Sequence, residues 1–329
     1  MRVAFFGSSQ FSCLVLRQLL ASEHKVVAIV TQPDQPAGRR MTLCPTDVCR
    51  EAYNLGLPVL KPERLRNNAA FRQLLREYRP DALLVASYGQ IIPPRVLELT
   101  GWPLNVHPSL LPRLRGASPI RTALLQGLAT TGCCIIRMTP RLDDGDVLLV
   151  KPQDIRTNWN YADLESALGH LGGRLAVQAL TAVDAGTAML TPQDNAQATY
   201  TTTYTRDDTW IDWNRPHWDV YNFVRALDPD VGALTLLPDG HRLKVCRAKN
   251  SSPILPEPEY ADPPGTVVAI HKDSFAVACR RKVPWTSVFE PMNELWITEV
   301  QPENKRRMDV ASFLAGHHLS VGDRLGQGG

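Results

Sequence analysis

Short apolar runs that alternate with helical stretches constrain the fold of this chain most strongly. Val3 to Phe6, Val26 to Val30 and Asp81 to Val85 are apolar enough for strands that are buried on both faces. Leu14 to Leu20 lies between the first two runs and has the apolar spacing of a helix. This order predicts an α/β fold with a doubly wound, Rossmann-like parallel sheet.

The turn after the first predicted strand limits the ligands that such a sheet could bind. Phe6 to Gln10 contains one glycine, whereas a dinucleotide site needs the pattern Gly-x-Gly-x-x-Gly. A dinucleotide site is therefore disfavoured. Ligands of open α/β sheets bind outside the carboxyl ends of strands, which directs attention to the ends of the predicted strands Pro103 to His107 and Cys133 to Met138.

The pattern changes in the second half of the chain. Thr187 to Arg206 is polar and threonine-rich and has no helical period, which indicates a domain boundary near residue 205. We therefore expect a catalytic domain at 1–187, a linker at 188–206 and a carboxy-terminal domain at 207–329. Before the boundary, Asn160 to Ala185 predicts a helix whose leucines share one stripe: Leu164, Leu168, Leu171 and Leu175.

Short, evenly spaced strands predict that the carboxy-terminal domain is a smaller, OB-like β-barrel. A helix at Pro216 to Leu227 is expected to precede the strands, and the Pro-rich segment Pro253 to Pro264 is expected to be a loop. The predicted strands are Leu234 to Leu237, Leu243 to Val245, Thr266 to Ile270, Phe275 to Ala278 and Leu295 to Thr298.

Composition narrows the class of protein. The chain has 329 residues, 44% of them hydrophobic and 21% charged, which suits about two packed domains. No apolar run approaches the roughly 18 residues of a membrane span, and the start lacks the pattern of a signal peptide, so we expect a cytoplasmic protein. Seven cysteines without a Cys-x-x-Cys pair, and histidines without metal-ligand spacing, predict reduced structural thiols and no metal site.

Charge is distributed unevenly along the chain. Residues 1–206 hold 22 Lys and Arg against 16 Asp and Glu, whereas residues 207–329 hold 14 against 17, so the net charges are +6 and −3. This modest excess permits local patches that bind phosphate but does not by itself indicate a nucleic-acid partner.

Three side chains near predicted strand ends suit the transfer of an activated acyl group. Asn105 and His107 are two residues apart and share a face of an extended strand, and Asp143 joins them only if its own segment lies nearby. Attack by an amine produces a tetrahedral intermediate with a negative oxygen, which Asn105 could stabilise through its amide. His107 could transfer protons or, when protonated, stabilise the oxyanion, while Asp143 could orient His107 or relay protons through water.

These residues belong to motifs that resemble the folate-dependent formyltransferase family. Asn105 to Gly116 is similar to the family's formyl-transfer signature, and Asp143 and Gly145 follow at the family's spacing. Three further segments resemble the branch of the family that acts on tRNA: Thr31 to Arg39, Ile211 to Trp213 and Gln301 to Gly316.

The resemblance implies a donor, an acceptor and site residues. The donor would be 10-formyltetrahydrofolate and the acceptor the α-amine of methionine on initiator tRNA, with Asn105, His107 and Asp143 as catalytic residues. By the same resemblance, the loop of Gly38, Arg39 and Arg40 would contact the acceptor arm of the tRNA. The residues implied to hold the folate are Tyr88, Gly89, Gln90, Ile91, Ile92, Ser109, Leu110, Leu111, Pro112, Asp144 and Gly145. Apart from the resemblance, we expect a monomer.

Some alternatives are open at this stage. The acceptor could be an amino sugar on a nucleotide or another small amine, and a non-catalytic folate or RNA binder is a third possibility. Ser109 is adjacent to the site but is not expected to be a nucleophile, because the folate already carries an activated group. Arg115 is expected to pair with a carboxylate or carbonyl of its own loop. The second domain is acidic, although a domain that grips tRNA is expected to be basic; three clusters could supply a positive face, Arg242 to Arg247, Arg280 to Lys282 and Lys305 to Arg307.

Overall fold

The computed structural model describes residues 1–37, 41–205, 207–249, 262–280 and 293–326. The chain forms two compact units. The first contains residues 1–119, 130–154 and 165–202, and the second contains residues 120–129, 155–164 and 203–329. In the described residues, no helix has the length and apolar character needed to cross a membrane.

The elements follow one another in the following chain order. The first eleven strands are β1 (Arg2–Gly7), β2 (Lys25–Val30), β3 (Gln35–Ala37), β4 (Thr42–Cys44), β5 (Val59–Leu60), β6 (Ala82–Ala86), β7 (Trp102–His107), β8 (Arg115–Gly116), β9 (Thr130–Arg137), β10 (Val147–Asp154) and β11 (Tyr200–Thr201). The first six helices are α1 (Gln10–Leu20), α2 (Asp47–Asn54), α3 (Ala69–Glu77), α4 (Pro94–Leu97), α5 (Pro119–Leu125) and α6 (Tyr161–Asp184). The later elements are α7 (His217–Leu227), β12 (Ala233–Leu236), β13 (Arg242–Lys249), β14 (Val267–Ile270), β15 (Phe275–Ala278), β16 (Glu294–Pro302), β17 (Met308–Asp309) and α8 (Val310–Gly316).

The predicted Rossmann-like sheet is confirmed. Within the described residues it has seven strands in the order β10-β9-β7-β6-β1-β2-β5. The five strands from β7 to β5 run parallel, and β1 is almost fully apolar and buried, as a strand covered on both faces must be. The predicted helix at residues 160–185 is also confirmed, because α6 covers residues 161–184 and buries the leucine stripe.

One edge of the sheet differs from the predicted parallel arrangement. β9 runs antiparallel to β7, and β10 runs antiparallel to β9. The short connection between β9 and β10 explains the second reversal, since a parallel neighbour requires a crossover of a dozen or more residues. The apolar content of Cys133 to Met138 predicts a buried strand but contains no information about its direction.

The first turn is closed by side chains. Ser9 caps the start of α1, and its hydroxyl accepts a hydrogen bond from the Ser12 amide. Ser12 in turn donates to the Ala86 carbonyl at 2.5 Å. This fully buried serine therefore ties the start of α1 to the end of β6.

The predicted barrel of the second unit is confirmed as well. β12, β13, β16, β15 and β14 form an antiparallel sheet in that order, with β17 added to β16, in the described residues. The segment 322–326 hydrogen-bonds to both ends of this sheet, through Gly322 to Val267 at 2.9 Å and through Gly326 to Leu236 at 3.0 Å. Because this segment pairs with both edges, the sheet is closed.

An apolar cluster fills the barrel, and it contains Phe275, Phe313 and Trp213. α7 confirms the predicted helix at residues 216–227. Most of the Pro-rich segment expected to be a loop, residues 253–261, lies outside the described residues. The last of the sequence boundaries between the two units, at Thr202 and Thr203, lies within the segment expected to be a linker.

Candidate active site

His107 ends β7 and is almost completely buried, with 4% of its surface exposed. Its Nε2 lies 2.9 Å from the carbonyl oxygen of Leu114. Because a carbonyl oxygen only accepts hydrogen bonds, Nε2 carries a proton. Asn105 lies two residues earlier on the same strand and is half-buried, so both side chains are on one face of the sheet.

Asp143 meets both of these side chains. Asn105 Nδ2 lies 3.4 Å from Asp143 Oδ1, and His107 Nδ1 lies 3.7 Å from Asp143 Oδ2. The backbone amide of Gly116 donates to the same Oδ2 at 2.8 Å. The amide, the imidazole and the carboxylate named from the sequence are therefore adjacent in the first unit.

The route by which Asp143 reaches the site differs from the expected one. The amide of Met138 donates to the Pro103 carbonyl at 2.7 Å, so the antiparallel β9 ends beside the start of β7 and not beside its end. Asp143 therefore does not follow the carboxyl end of a parallel strand. It reaches His107 because the loop between β9 and β10 folds back toward β7.

Tight packing and an unusual backbone shape this loop. Asp143 has a φ of 47°, a left-handed conformation that is uncommon for a residue with a side chain. A Cβ atom at Gly145 would lie 1.8 Å from the Arg137 carbonyl oxygen, which requires glycine at this position. The Asp144 carboxylate bonds within the loop, to Thr139 and, at 2.5 Å, to Arg141.

Gln193 supports the loop from outside and had no signal in the sequence. Its Nε2 donates to the carbonyls of Asp143 at 2.9 Å and Gly145 at 2.7 Å. Its Oε1 accepts from Arg115 Nη2 at 2.7 Å. Gln193 lies in the polar segment 187–206, where the absence of periodicity hides its contacts.

The expected local partner of Arg115 was wrong. Arg115 is 2% exposed and donates to Gln193 and, at 2.6 Å, to Asn195, which both lie about 80 residues further along the chain. A sequence pattern cannot identify such a distant neutral partner, because amide side chains are frequent in polar loops.

The segment around Thr199 also positions Leu114, whose carbonyl oxygen contacts His107. The Leu114 amide donates to Thr199 Oγ1 at 2.9 Å, and the Arg115 amide donates to the Thr199 carbonyl at 2.8 Å. Gly116 has a φ of 108°, and a Cβ atom there would lie 2.7 Å from the Thr201 carbonyl. These contacts place the chain of β8 against β11.

The residues implied to hold a folate occupy several environments. Tyr88 is buried against Phe6, and its hydroxyl has no hydrogen-bond partner in the described part of the chain. Burial raises the pKa of the Tyr88 phenol. Gly89 has a φ of 83° beside the Gln32 side chain, whereas Ile91 is 91% exposed.

The rest of this set lies closer to His107 in sequence. Ser109 is fully buried, and its hydroxyl donates to the Arg113 carbonyl at 2.7 Å, which fits a structural role. Leu110, Leu111 and Pro112 are half-buried, as are Gln90 and Asp144, whereas Ile92 and Gly145 are buried. The side chain of Gln90 contacts the Pro62 carbonyl at 3.5 Å.

The structure does not describe Gly38, Arg39 and Arg40, the loop expected to contact tRNA. In the second unit, part of the expected positive face is neutralised. Arg307 pairs with Asp228 and, at 2.6 Å, with Glu299, while Arg247 lies 3.7 Å from the same glutamate. Arg281 and Lys282, two members of another cluster, lie outside the described residues.

The cysteines are consistent with the expected structural role, since all seven are free and six are buried. Burial raises the pKa of the Cys13 and Cys279 thiols to about 12 and that of the Cys134 thiol to about 11. Over the described ranges, no group of three or more His, Cys, Asp and Glu side chains is arranged to hold a metal ion.

A carboxylate that lies between a buried imidazole and an amide, on a Rossmann-like sheet, suits an enzyme that transfers an acyl group. The family model described as "Formyl transferase" matches residues 1–180, and "Formyl transferase, C-terminal domain" matches residues 204–318. The chain therefore belongs to the formyl transferase family, which confirms the resemblance of its motifs.

Curated relatives cover nearly the whole chain. A methionyl-tRNA formyltransferase of Bacillus subtilis (strain 168) is 37% identical over 99% of this chain and 98% of the relative. A second, from Symbiobacterium thermophilum, is 39% identical over 99% of this chain and 95% of the relative.

Solved structures share the fold at lower identity. HypX from Aquifex aeolicus in complex with tetrahydrofolic acid has a TM-score of 0.62 and 19% identity, and the match covers 96% of this chain and 47% of that chain. The sugar 3N-formyl transferase WlaRD, solved with dTDP and 5-N-formyl-THF, has a TM-score of 0.57 and 14% identity, over 93% of this chain and 99% of that chain.

Proposed function

We propose that this chain transfers a formyl group from 10-formyltetrahydrofolate to the α-amino group of methionine on initiator tRNA. The observation that carries the proposal is the meeting of Asn105, His107 and Asp143 in one half-buried site. The curated relatives support the choice of acceptor, because enzymes named for methionyl-tRNA are 37% and 39% identical to this chain over both units.

The surroundings of His107 suit a protonated ring. Nε2 points at the Leu114 carbonyl, and Nδ1 faces the Asp143 carboxylate. Both neighbours are acceptors, so an imidazolium ion satisfies both, whereas a neutral ring leaves one nitrogen lone pair facing an oxygen. The 3.7 Å between Nδ1 and the carboxylate exceeds a direct hydrogen bond, which leaves Nδ1 available to a substrate oxygen.

This geometry suggests the following order of steps. The α-amine attacks the formyl carbon, a C–N bond forms, and the carbonyl oxygen becomes negative. Asn105 and the His107 imidazolium stabilise this oxyanion. The ammonium proton passes to Asp143, directly or through water. A proton then reaches the folate nitrogen as its bond to carbon breaks, which releases tetrahydrofolate and the formylated amine.

For the donor, we propose binding along residues 88–92 and 109–112 and at residues 144–145. Ile91 and the half-buried Leu110 to Pro112 offer apolar surface suited to an aromatic pterin ring. The Asp144 carboxylate is bonded within its own loop, so we expect Asp144 to contact the folate through its backbone. For the acceptor, we propose that Gly38, Arg39 and Arg40 contact the acceptor arm, with the second unit as a further tRNA contact.

The proposal includes a monomeric enzyme in the cytoplasm. Aminoacyl-tRNA is made and used beside ribosomes, which sets the location of the reaction. A monomer is sufficient because the three proposed catalytic side chains come from one chain.

A direct comparison of acceptors tests the function. The purified chain would be supplied with 10-formyltetrahydrofolate and either methionyl initiator tRNA or a dTDP-linked amino sugar, at equal concentrations. We expect formylation of the tRNA alone. Preferential formylation of the sugar would replace this proposal with the alternative of a small amine acceptor.

A further inference from the structure

Gln193 connects the two loops that frame the site. Its Nε2 donates to the carbonyls of Asp143 and Gly145, and its Oε1 accepts from Arg115 Nη2 and, at 3.2 Å, from Arg115 Nε. A glutamine amide has two N–H donors and two acceptor lone pairs, so all four are used. The amide orientation is determined as well, since the reverse one would point its oxygen at two carbonyl oxygens.

The loop that Gln193 holds requires external support. Asp143 adopts a left-handed backbone with a φ of 47°, a conformation that is strained for a residue with a side chain. The same backbone conformation directs the carboxylate toward Asn105, His107 and the Gly116 amide. A bond to the Asp143 carbonyl therefore acts on the direction of its carboxylate.

Arg115 holds Gln193 in place. Arg115 is 2% exposed, and the hydrogen-bond partners of its guanidinium among the described residues are uncharged. We propose that Gln193 is a positioning residue that directs the Asp143 carboxylate through the Asp143 backbone, and that Arg115 orients Gln193. The kinetic consequences rest on the proposed function, whereas the structural consequence does not.

The variant Gln193→Glu separates positioning from simple packing. Glutamate has the same length and forms a stronger, charge-assisted bond to Arg115. It replaces the two N–H donors with an oxygen that faces the carbonyls of Asp143 and Gly145. The fold is therefore retained while the hold on the Asp143 loop is lost. Gln73→Glu, at an exposed position on α3, is the matched control.

Amide hydrogen exchange tests the structural half without any reaction. The Gly116 amide bonds to the Asp143 carboxylate, whereas the Leu114 and Arg115 amides bond to Thr199. In Gln193→Glu we expect Gly116 to exchange about tenfold faster or more, with Leu114 and Arg115 unchanged. Equal acceleration of all three would mean general loosening, and no change at Gly116 would mean no positioning; either result overturns the proposal.

A double-mutant cycle tests the kinetic half. Misplacing a catalytic group by about 1 Å costs up to about 10²-fold in rate, so Gln193→Glu should lower kcat by about tenfold or more while KM for folate and tRNA changes less than about twofold. In an Asp143→Asn background, the same substitution should change kcat by less than about twofold. An equal tenfold loss in both backgrounds would contradict action through Asp143. A wild type that transfers no formyl group would reject the proposed function and leave the exchange test to decide positioning.

Discussion

Two carboxylates, the half-buried Asp143 in the first unit and the buried Asp228 in the second, have opposite surroundings. Asp143 of the first unit accepts hydrogen bonds from the neutral Asn105 side chain and the Gly116 amide, and its ionisable neighbour is His107. Asp228 of the second unit pairs with the guanidinium of Arg307 and accepts from Asn160 at 2.7 Å. A permanent cation fixes the second carboxylate, whereas the first faces an imidazole, whose ring nitrogens can donate or accept a proton. The difference fits the proposed chemistry at Asp143 in the first unit and a structural role for Asp228 in the second.

The largest expected effect is on turnover. Asn105→Ala, His107→Ala and Asp143→Ala should each lower kcat by about 10²-fold or more, the usual range for oxyanion donors and acid–base groups. Stopped assays with saturating folate and tRNA measure the change. Asp228→Asn is the contrasting variant, and it should lower the melting temperature while kcat of the folded enzyme stays near the wild-type value. A loss of kcat in Asp228→Asn as large as in Asp143→Ala would break the comparison.

The second expected effect is a dependence of stability on pH that originates in the second unit. His217 is 3% exposed, its Nδ1 has no hydrogen-bond partner in the described residues, and burial lowers its pKa to about 4. The unfolded chain therefore takes up a proton first as pH falls, near the ordinary value of about 6.5. The neutral, buried His217 therefore contributes its full share of stability above pH 6.5. As the pH falls toward 4, the free energy of unfolding decreases progressively, by about 2 to 3 kcal/mol.

Urea unfolding at a series of pH values measures this loss. His217→Phe keeps an aromatic ring against Trp218 and Tyr221 and removes the titration, so its stability should change less between pH 6.5 and pH 4. His241→Gln, at a side chain that is 72% exposed, serves as the control and should keep the wild-type slope. An unchanged slope in His217→Phe would show that another group carries the effect.

A third effect concerns acceptor binding by the first unit. Arg39→Ala should raise KM for methionyl-tRNA by about tenfold, the value of one charged hydrogen bond to a phosphate, and leave the dissociation constant of folate unchanged. Arg76→Ala, at an exposed arginine on α3, should change neither quantity. Equal weakening of folate and tRNA by Arg39→Ala would remove the loop from the acceptor site.

The smallest expected effect is the salt dependence of tRNA affinity, which tests the role of the second unit. Arg247 and Arg307 are already paired with carboxylates, so we expect this unit to make only about two contacts with tRNA phosphates. Two such contacts would make the affinity for tRNA fall by about tenfold between 50 and 200 mM salt. Fluorescence titration at several salt concentrations measures the slope. A flat dependence would argue for an acceptor without a phosphate backbone.

The sequence predicted those parts of the molecule in which local patterns decide the structure. β1, α6 and α7 follow from apolar periodicity, and their observed bounds lie within one or two residues of the expected ones. The segment Ile211 to Trp213, which suggested the tRNA branch, packs in the barrel core, where the Trp213 indole donates to Thr235 at 3.1 Å. Motifs of this kind indicate a family even when their side chains serve packing.

The parts that the sequence did not predict depend on contacts between distant segments. The antiparallel direction of β9 changes no residue pattern, yet it determines the route of the Asp143 loop. Gln193 and Arg115 are separated by 78 residues, and the neutral amide that accepts from the guanidinium leaves no charge pattern or periodic trace in the sequence. The candidate site could thus be named by residue type and spacing, while the residues that hold it became visible only in three dimensions.

The most direct test of the account is a single-turnover reaction of wild type and His107→Ala with 10-formyltetrahydrofolate and methionyl initiator tRNA. Folate binding is measured on the same samples. The account predicts formyl-methionine on the tRNA with wild type, and a rate lower by about 10²-fold or more with His107→Ala at unchanged folate affinity. Equal rates for the two proteins, or no transfer by a folded wild type that binds folate, would contradict it.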